Sequence, residues 1–452
     1  MRRLSRPERS TRQDRNLQGD GGVETTVALR LDDRLDRHSS APVAVALSGG
    51  SDSTALLALT CDWARCAGRR VIAFTVDHGL NPDSAAWTGR AGEAAHRLGA
   101  GWRALSWAGD KPSAGLQAAA RLARHRLIAG AAREAGAAVV LFGHTADDVA
   151  EAGLMAASGS SVRPPGPWTP SPVWPEGRSL FLFRPLLDIS RVALRGWLAL
   201  RGLDWFEDPA NADARFARAR ARMTLAQQHR ELRDAEPSLA DPDHGVILQL
   251  ARETRTGTGG EIEIESAVLG TGGPECARLL ARAVVSAGGG ARLPDLVQLQ
   301  RLIARLGQGD LDATLAGARL QARNGRLLIA RDSGEIRRKG LAAVRAAQGA
   351  RVVWDGRFEL TPPGDGQVLA LEGHAATLAP PDRARLKALP RLVRPALPIF
   401  RLDGALSPIA AFSLPWTRSL VPARFAGACG LITHEREITG LSRGEGAGAF
   451  LC

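Results

Sequence analysis

A chain of 452 residues, 44% hydrophobic and 23% charged, carries enough apolar material for two or three cored domains. No apolar run is long enough to cross a bilayer, so no membrane partner is expected. Its five cysteines (Cys61, Cys66, Cys276, Cys429, Cys452) form no C-x-x-C pair, which argues against a disulfide framework, a zinc site or a dithiol mechanism and fits a reducing, cytoplasmic setting. The formal net charge of +12 suits a polyanionic partner, although lysine occurs only at Lys111, Lys339 and Lys387, and an arginine-, alanine- and glycine-rich chain is also what a GC-rich genome leaves.

In chain order, residues 1–40 mix arginine with acids and contain little apolar sequence before Val27. They lack the apolar stretch of a secretory signal and are expected to form a flexible N-terminal extension, with a short helix near 28–36. A βα rhythm begins at Pro42. Strands are expected near 43–47, 71–76, 102–107, 138–142 and 180–183, and helices near 52–66, 83–98, 114–134 and 147–157. Gly68, Gly99 and Gly136 stand where helices should stop. Apolar strands alternating with helices predict an α/β fold, a doubly wound parallel sheet with its site at the strands' C-terminal ends.

The first βα turn reads Ser48-Gly49-Gly50-Ser51-Asp52-Ser53. Free amides converge where a strand turns through glycines into a helix, and the helix dipole favours an anion there. Asp52 beside such an anion makes sense if Mg²⁺ lies between them, because the bare pair would repel. No Lys stands where the common P-loop has one, so this is a different cradle. The plainer alternative is a capped glycine turn. The six residues resemble the Ser-Gly-Gly-x-Asp-Ser loop of the PP-loop ATP pyrophosphatases, a family that splits ATP between its α- and β-phosphates and adenylates an acceptor oxygen.

The later motifs fall at the other strand ends. Asp77-His78-Gly79-Leu80 follows the second strand and matches an Asp-His-Gly-Leu segment of that family, adding Asp77 and His78 to the expected ATP contacts; a capped turn explains the residues equally well. Arg121 and Arg124, one turn apart on a helix, share a face, which is usually solvated. They resemble the Ala-Arg-x-x-Arg-Tyr helix of tRNA(Ile)-lysidine synthetases, with His125 in place of the tyrosine, and the resemblance puts them beside the acceptor. His144, Asp147, Asp148 and Glu151 resemble the His-x-x-Asp-Asp-Gln-x-Glu-Thr motif of the same family, with Val149 and Ala152 replacing its Gln and Thr. Acids in a first helical turn are favoured by the dipole alone. A carboxylate cluster near a nucleotide can also grip a cationic amine and take its proton.

Arg184-Pro185-Leu186-Leu187 ends a strand as in the family. Asp208-Pro209-Ala210-Asn211-Ala212-Asp213, followed by Arg218, Arg220 and Arg222, matches the end of the lysidine synthetase N-terminal domain. Alternating arginines suit phosphates. The resemblance therefore implies catalytic Asp52, His144, Asp147, Asp148 and Glu151; ATP on Ser48, Gly49, Gly50, Ser51, Asp52, Ser53, Asp77 and His78, with Mg²⁺ on Asp52; and lysine or acceptor contacts from Arg121, Arg124, Asp147 and Glu151. It implies tRNA contacts from Arg184, Asp208, Asn211, Arg218, Arg220 and Arg222. The implied reaction joins free L-lysine to C2 of the wobble cytidine of isoleucine tRNA with a CAU anticodon, through an adenylated cytidine. A homodimer is compatible with this reading. The rivals are a tRNA thiolase, which would need cysteines near the loop, and a non-catalytic nucleotide- or RNA-binding module.

Beyond Arg222 the chain changes character. Helices are expected near 223–234, 276–286 and 293–306, and strands near 326–331, 350–354 and 368–371. Leu397–Gly404 resembles a C-terminal segment of lysidine synthetases. The organisation expected is an extension (1–40), an ATP-binding catalytic domain (41–222), a mostly helical tRNA-binding domain (223–340) and a C-terminal α+β domain (341–452).

Overall fold

The computed structural model describes residues 22–159, 165–207, 221, 224, 244–270 and 272–442. They belong to two compact units. One holds the described residues up to Pro172, those from Leu180 to Leu239, and His434–Arg436; the other holds Val173–Ser179, Ala240–Thr433 and the residues from Glu437 onward.

In the first unit, α1 (Val23–Arg34) precedes β1 (Val43–Ala46), α2 (Ser51–Ala67), β2 (Val71–Asp77), α3 (Ser84–Arg97) and β3 (Gly101–Ser106). Then come α4 (Leu116–Glu134), β4 (Val139–Leu141), α5 (Ala146–Ala157), β5 (Trp168–Pro170), β6 (Phe181–Phe183) and α6 (Arg191–Leu200). The sheet order is β3-β2-β1-β4-β6-β5. All neighbours run parallel except the edge pair β5–β6. Val43, Ala44 and Val45 of β1 are all buried, as a strand covered by helices on both faces requires. The glycines expected to stop helices do so with left-handed backbones, at φ +65° (Gly68), +79° (Gly99) and +77° (Gly136). The chain goes from β1 outward to β3, then returns to place β4 on β1's other side. The switch point between β1 and β4 is where such sheets open a crevice for a ligand.

Three elements depart from the sequence reading. The short helix expected near 28–36 in a flexible extension begins earlier, at Val23, and ends at Arg34; its Val23, Val27 and Leu31 are buried and it packs on α2 and α6. Arg30 of α1 donates to the Pro185 carbonyl at 2.6 Å and pairs with Asp188, bracing the loop that leads into α6. Trp168–Pro170, not among the expected strands, forms the antiparallel edge strand β5; an edge tolerates the missing amide of Pro170. Helix α6 was not expected at all. Ser190 caps it by accepting from the Ala193 amide at 3.2 Å, and Leu194, Trp197 and Leu198 bury one face.

The second unit contains two hydrophobic cores. The first joins α7 (His244–Arg252), β7 (Arg255–Thr256), β8 (Ile262–Glu265), α8 (Ser266–Leu269), α9 (Pro274–Gly288) and α10 (Leu296–Leu306) to β9 (Leu311–Leu315), β10 (Ala318–Arg323) and β11 (Arg326–Arg331), in an antiparallel sheet ordered β7-β8-β11-β10-β9. Pro at the start and Gly289 after the end delimit α9. The second core, around Trp354, Phe358 and Phe400, follows α11 (Ser333–Lys339) and is built on two three-stranded antiparallel sheets. The expected helix at 223–234 lies outside the described residues, apart from helical Thr224. No described helix is long and apolar enough to cross a membrane.

Candidate active site

The loop after β1 is a cradle with its hydroxyls already engaged. Ser53 Oγ accepts from the Ser48 amide at 3.1 Å, lies 3.0 Å from Ser48 Oγ and donates to the Gly50 carbonyl at 3.1 Å. Gly49 sits at φ +83°, a conformation glycine adopts without strain. Gly50 precedes α2 without a side-chain cap, so the first amides of α2 point at the cradle with the positive end of its dipole. The segment after β4 closes in from the side. A Cβ on Gly143 would stand 2.9 Å from the Asp52 carbonyl, so only glycine fits there. Phe206 bonds its amide to the Gly49 carbonyl at 2.8 Å and packs its ring on Trp87 at 4.5 Å, covering the loop.

Asp52 leads to the second part of the site. Its Oδ1 accepts from Ser51 Oγ at 2.9 Å, and its Oδ2 accepts from Arg191 Nε at 3.0 Å. The same guanidinium lies 4.0 Å from Asp147 Oδ1, 3.8 Å from Asp148 Oδ1 and 3.5 Å from Glu151 Oε1. Arg191 is the first residue of α6, and its backbone amide donates to Asp147 Oδ2 at 2.8 Å. Burial opposes its charge, but Asp52, with Asp148 and Asp147 behind it, outweighs that and holds Arg191 above the ordinary arginine range. Glu151 is 1% exposed on its side chain. Asp148 has a structural task as well. Its Oδ2 accepts from the Thr145 amide at 2.9 Å and from Thr145 Oγ1 at 3.1 Å, a capping box that starts α5 one residue earlier than expected.

The third part is cationic. His144 stacks at 21° on Phe142, and its Nδ1 accepts from Arg184 Nε at 3.1 Å. Arg184, expected at tRNA phosphates, is only 6% exposed and also donates from Nη1 to the Gly166 carbonyl at 2.8 Å and to Thr169 Oγ1 at 3.0 Å. Burial, with Arg121 and Arg124 nearby, pulls it down to about 10. His125 is buried against Phe142 at 5.2 Å; burial, then Arg124, Arg121, Arg184 and His144, depress it to about 2, so it stays neutral. Burial and Arg124 also lower His78, which meets Trp107 edge-on at 5.9 Å. Asp77 accepts from the Gly79 amide at 2.8 Å and so closes the turn after β2.

The structure thus brings Ser48–Ser53, Asp147, Asp148 and Glu151 together through Arg191, and Arg121, Arg124 and Arg184 together around His125, with Arg184 also on His144. Asp208, Asn211, Arg218, Arg220 and Arg222 lie outside the described residues. Sequence reasoning missed Arg191, and Arg195 four residues on, whose Nε approaches Ser51 Oγ at 3.4 Å. The Ser190 cap and the Leu194, Trp197, Leu198 spacing would have revealed the helix. Nothing local marks its first arginine as the hub of four acids.

A strand–glycine loop–helix cradle at the switch point, with an acid at the helix start, defines a PP-loop nucleotide-binding protein, and residues 23–229 match the family model described as a PP-loop domain. The tRNA(Ile)-lysidine synthase of Caulobacter vibrioides is 45% identical over 420 residues, covering 90% of this chain and 98% of its own. That of Mesorhizobium japonicum is 34% identical, covering 89% and 94%. The chain belongs to the tRNA(Ile)-lysidine synthase family. A solved U34-tRNA thiolase of Methanococcus maripaludis matches at a TM-score of 0.38 and 15% identity, over 46% of this chain and 75% of that one.

Proposed function

We propose that the three parts of the site divide the labour of lysidine formation. The enzyme binds ATP and uses it to join lysine to isoleucine tRNA. The cytidine C2 oxygen attacks the α-phosphorus, the bond to the β-phosphate breaks and pyrophosphate leaves; a lysine amine then attacks C2, gives up a proton and expels AMP. In the first step charge builds on the leaving pyrophosphate. The first amides of α2 are preorganised donors for it, and the engaged hydroxyls of Ser48 and Ser53 hold the loop in shape.

Mg²⁺ is assigned here on the donor set. Four carboxylates face one guanidinium, and Asp52 stands at the loop with its carboxylate 18% exposed. No three His, Cys, Asp or Glu among the described residues could cage a metal alone. Asp52 would therefore hold the ion jointly with phosphate oxygens, as Mg²⁺ usually requires, and the ion would supply charge neutralisation.

The amine belongs to Asp147 and Glu151, which we assign as its anchor and proton acceptor; Asp148 positions α5. His144 is assigned as a neutral donor. Arg184 donates to Nδ1, so the ring proton sits on Nε2 and points away from Arg184. Such a ring stabilises phosphate charge and is not the base. Arg184 is then a positioning residue. Arg121 and Arg124 supply charge for the adenylate, and Arg218, Arg220 and Arg222, with residues 223–340, are assigned to the tRNA. The work is placed in the cytoplasm, with the tRNA pool.

The observation that carries this reading is the convergence of Asp52, Asp147, Asp148 and Glu151 from two segments on one guanidinium beside the loop. A thiolase is disfavoured because Cys61, Cys276 and Cys429 are buried, with Cys61 pushed up to about 11 and Cys429 to about 12 by burial. Labelled lysine should enter isoleucine tRNA transcript bearing CAU with ATP and Mg²⁺. Asp52→Ala should lower incorporation about a thousandfold, the upper range for removing one electrostatic stabiliser. Incorporation that survives in Asp52→Ala would refute the assignment of the loop.

A further inference from the structure

One arginine touches every acid of the site, and its place is the one the amine needs. Arg191 Nη1 lies between Asp147 and Glu151, at 4.0 and 3.5 Å, while Nε is held at 3.0 Å by Asp52. The guanidinium therefore spans the nucleotide end and the amine end of the cluster. Its five donors allow this, where the single ammonium of a lysine could reach one end only. The backbone of Arg191 is pinned by Asp147 and by the Ser190 cap, so motion is confined to the side chain.

We propose that Arg191 holds the amine's place until ATP arrives, and so makes lysine binding depend on the nucleotide. Without ATP the guanidinium sits among Asp147, Asp148 and Glu151 and competes with the lysine ammonium. A triphosphate on the loop beside Asp52 brings several negative charges to the Nε end and draws the guanidinium toward it. Asp147 and Glu151 are then left for the ammonium. A ligand shifts such an equilibrium only through its different contacts with the two arrangements, and here the difference is the new phosphate charge. Arg191 acts through the carboxylates and the nucleotide, as a positioning residue. The inference rests on the assignment of lysine to Asp147 and Glu151.

The test measures L-lysine binding to the full chain by calorimetry, with and without a non-hydrolysable ATP analogue and Mg²⁺. In the wild type the analogue should tighten lysine binding about tenfold, within the usual range of coupling between sites. In Arg191→Gln lysine affinity should be the same with and without analogue to within about twofold, and Arg191→Lys should fall between. If Arg191→Gln does not fold, as its thermal midpoint and loss of analogue binding would reveal, Arg191→Lys decides alone: retention of the full tenfold coupling overturns the proposal. Wild-type coupling in Arg191→Gln, or none in the wild type, also overturns it. Failure of the underlying reading is separate, because it would appear as wild-type enzyme that transfers no lysine to tRNA.

Discussion

The segment after β4 joins two charge clusters built on opposite plans. On the α5–α6 side four carboxylates share one guanidinium; around β6 and α4, Arg121, Arg124 and Arg184 gather about His144 and His125. In their described contacts the acidic cluster sets four carboxylates against one guanidinium, while burial and mutual repulsion lower Arg184 and His125 in the basic one. In the proposed division of labour an amine comes to the acids and phosphates to the arginines.

The comparison can be broken on the basic side. Arg184→Met should lower adenylation and lysine transfer together by ten- to a hundredfold, roughly the cost of losing an outer partner that fixes a histidine's tautomer. Arg184→Lys keeps the charge but not the planar fork, and should rescue little. If transfer falls while tRNA-dependent ATP–pyrophosphate exchange is untouched, His144 serves the amine half, and the division between the clusters is wrong.

A smaller effect sharpens it. His125 is held near 2 in the folded state, below its ordinary value of 6.5, so the unfolded chain binds the extra proton as pH falls. Its contribution to stability is whole above about pH 6.5 and is lost on acidification toward pH 2, at up to about 1.4 kcal/mol per unit. Urea denaturation at pH 7 and pH 5 should show His125→Phe losing less stability than the wild type over that interval. An equal loss in both would mean that the ring is not held neutral by burial and its arginine neighbours.

How much of this was legible depended on how local each feature is. The glycine loop and the acid–histidine motif lie within runs of about ten residues, where strand, turn and helix signals sit side by side. The doubly wound parallel sheet followed from the alternating βα pattern, whereas its strand order, and with it the β1–β4 switch point, did not. Nor did Arg191, because its meaning lies in contacts to residues 139 and 44 positions away. Arg184 was expected at tRNA phosphates, and a lone arginine at a strand end carries no sign of its burial. In the second unit, strands such as Phe358–Leu360 and Thr417–Ser419 are three residues long, too short to show a period of two. There the two cores emerge only from tertiary packing.

The central claim is that loop and acids perform separable halves of one reaction. The most direct measurement compares tRNA-dependent ATP–pyrophosphate exchange with lysine transfer in wild type and Glu151→Gln. Exchange should stay within about threefold of wild type while transfer falls at least about a hundredfold, as expected when a proton acceptor is removed from one step only. Exchange and transfer falling together would contradict the division, and would make Glu151 part of the adenylating machinery.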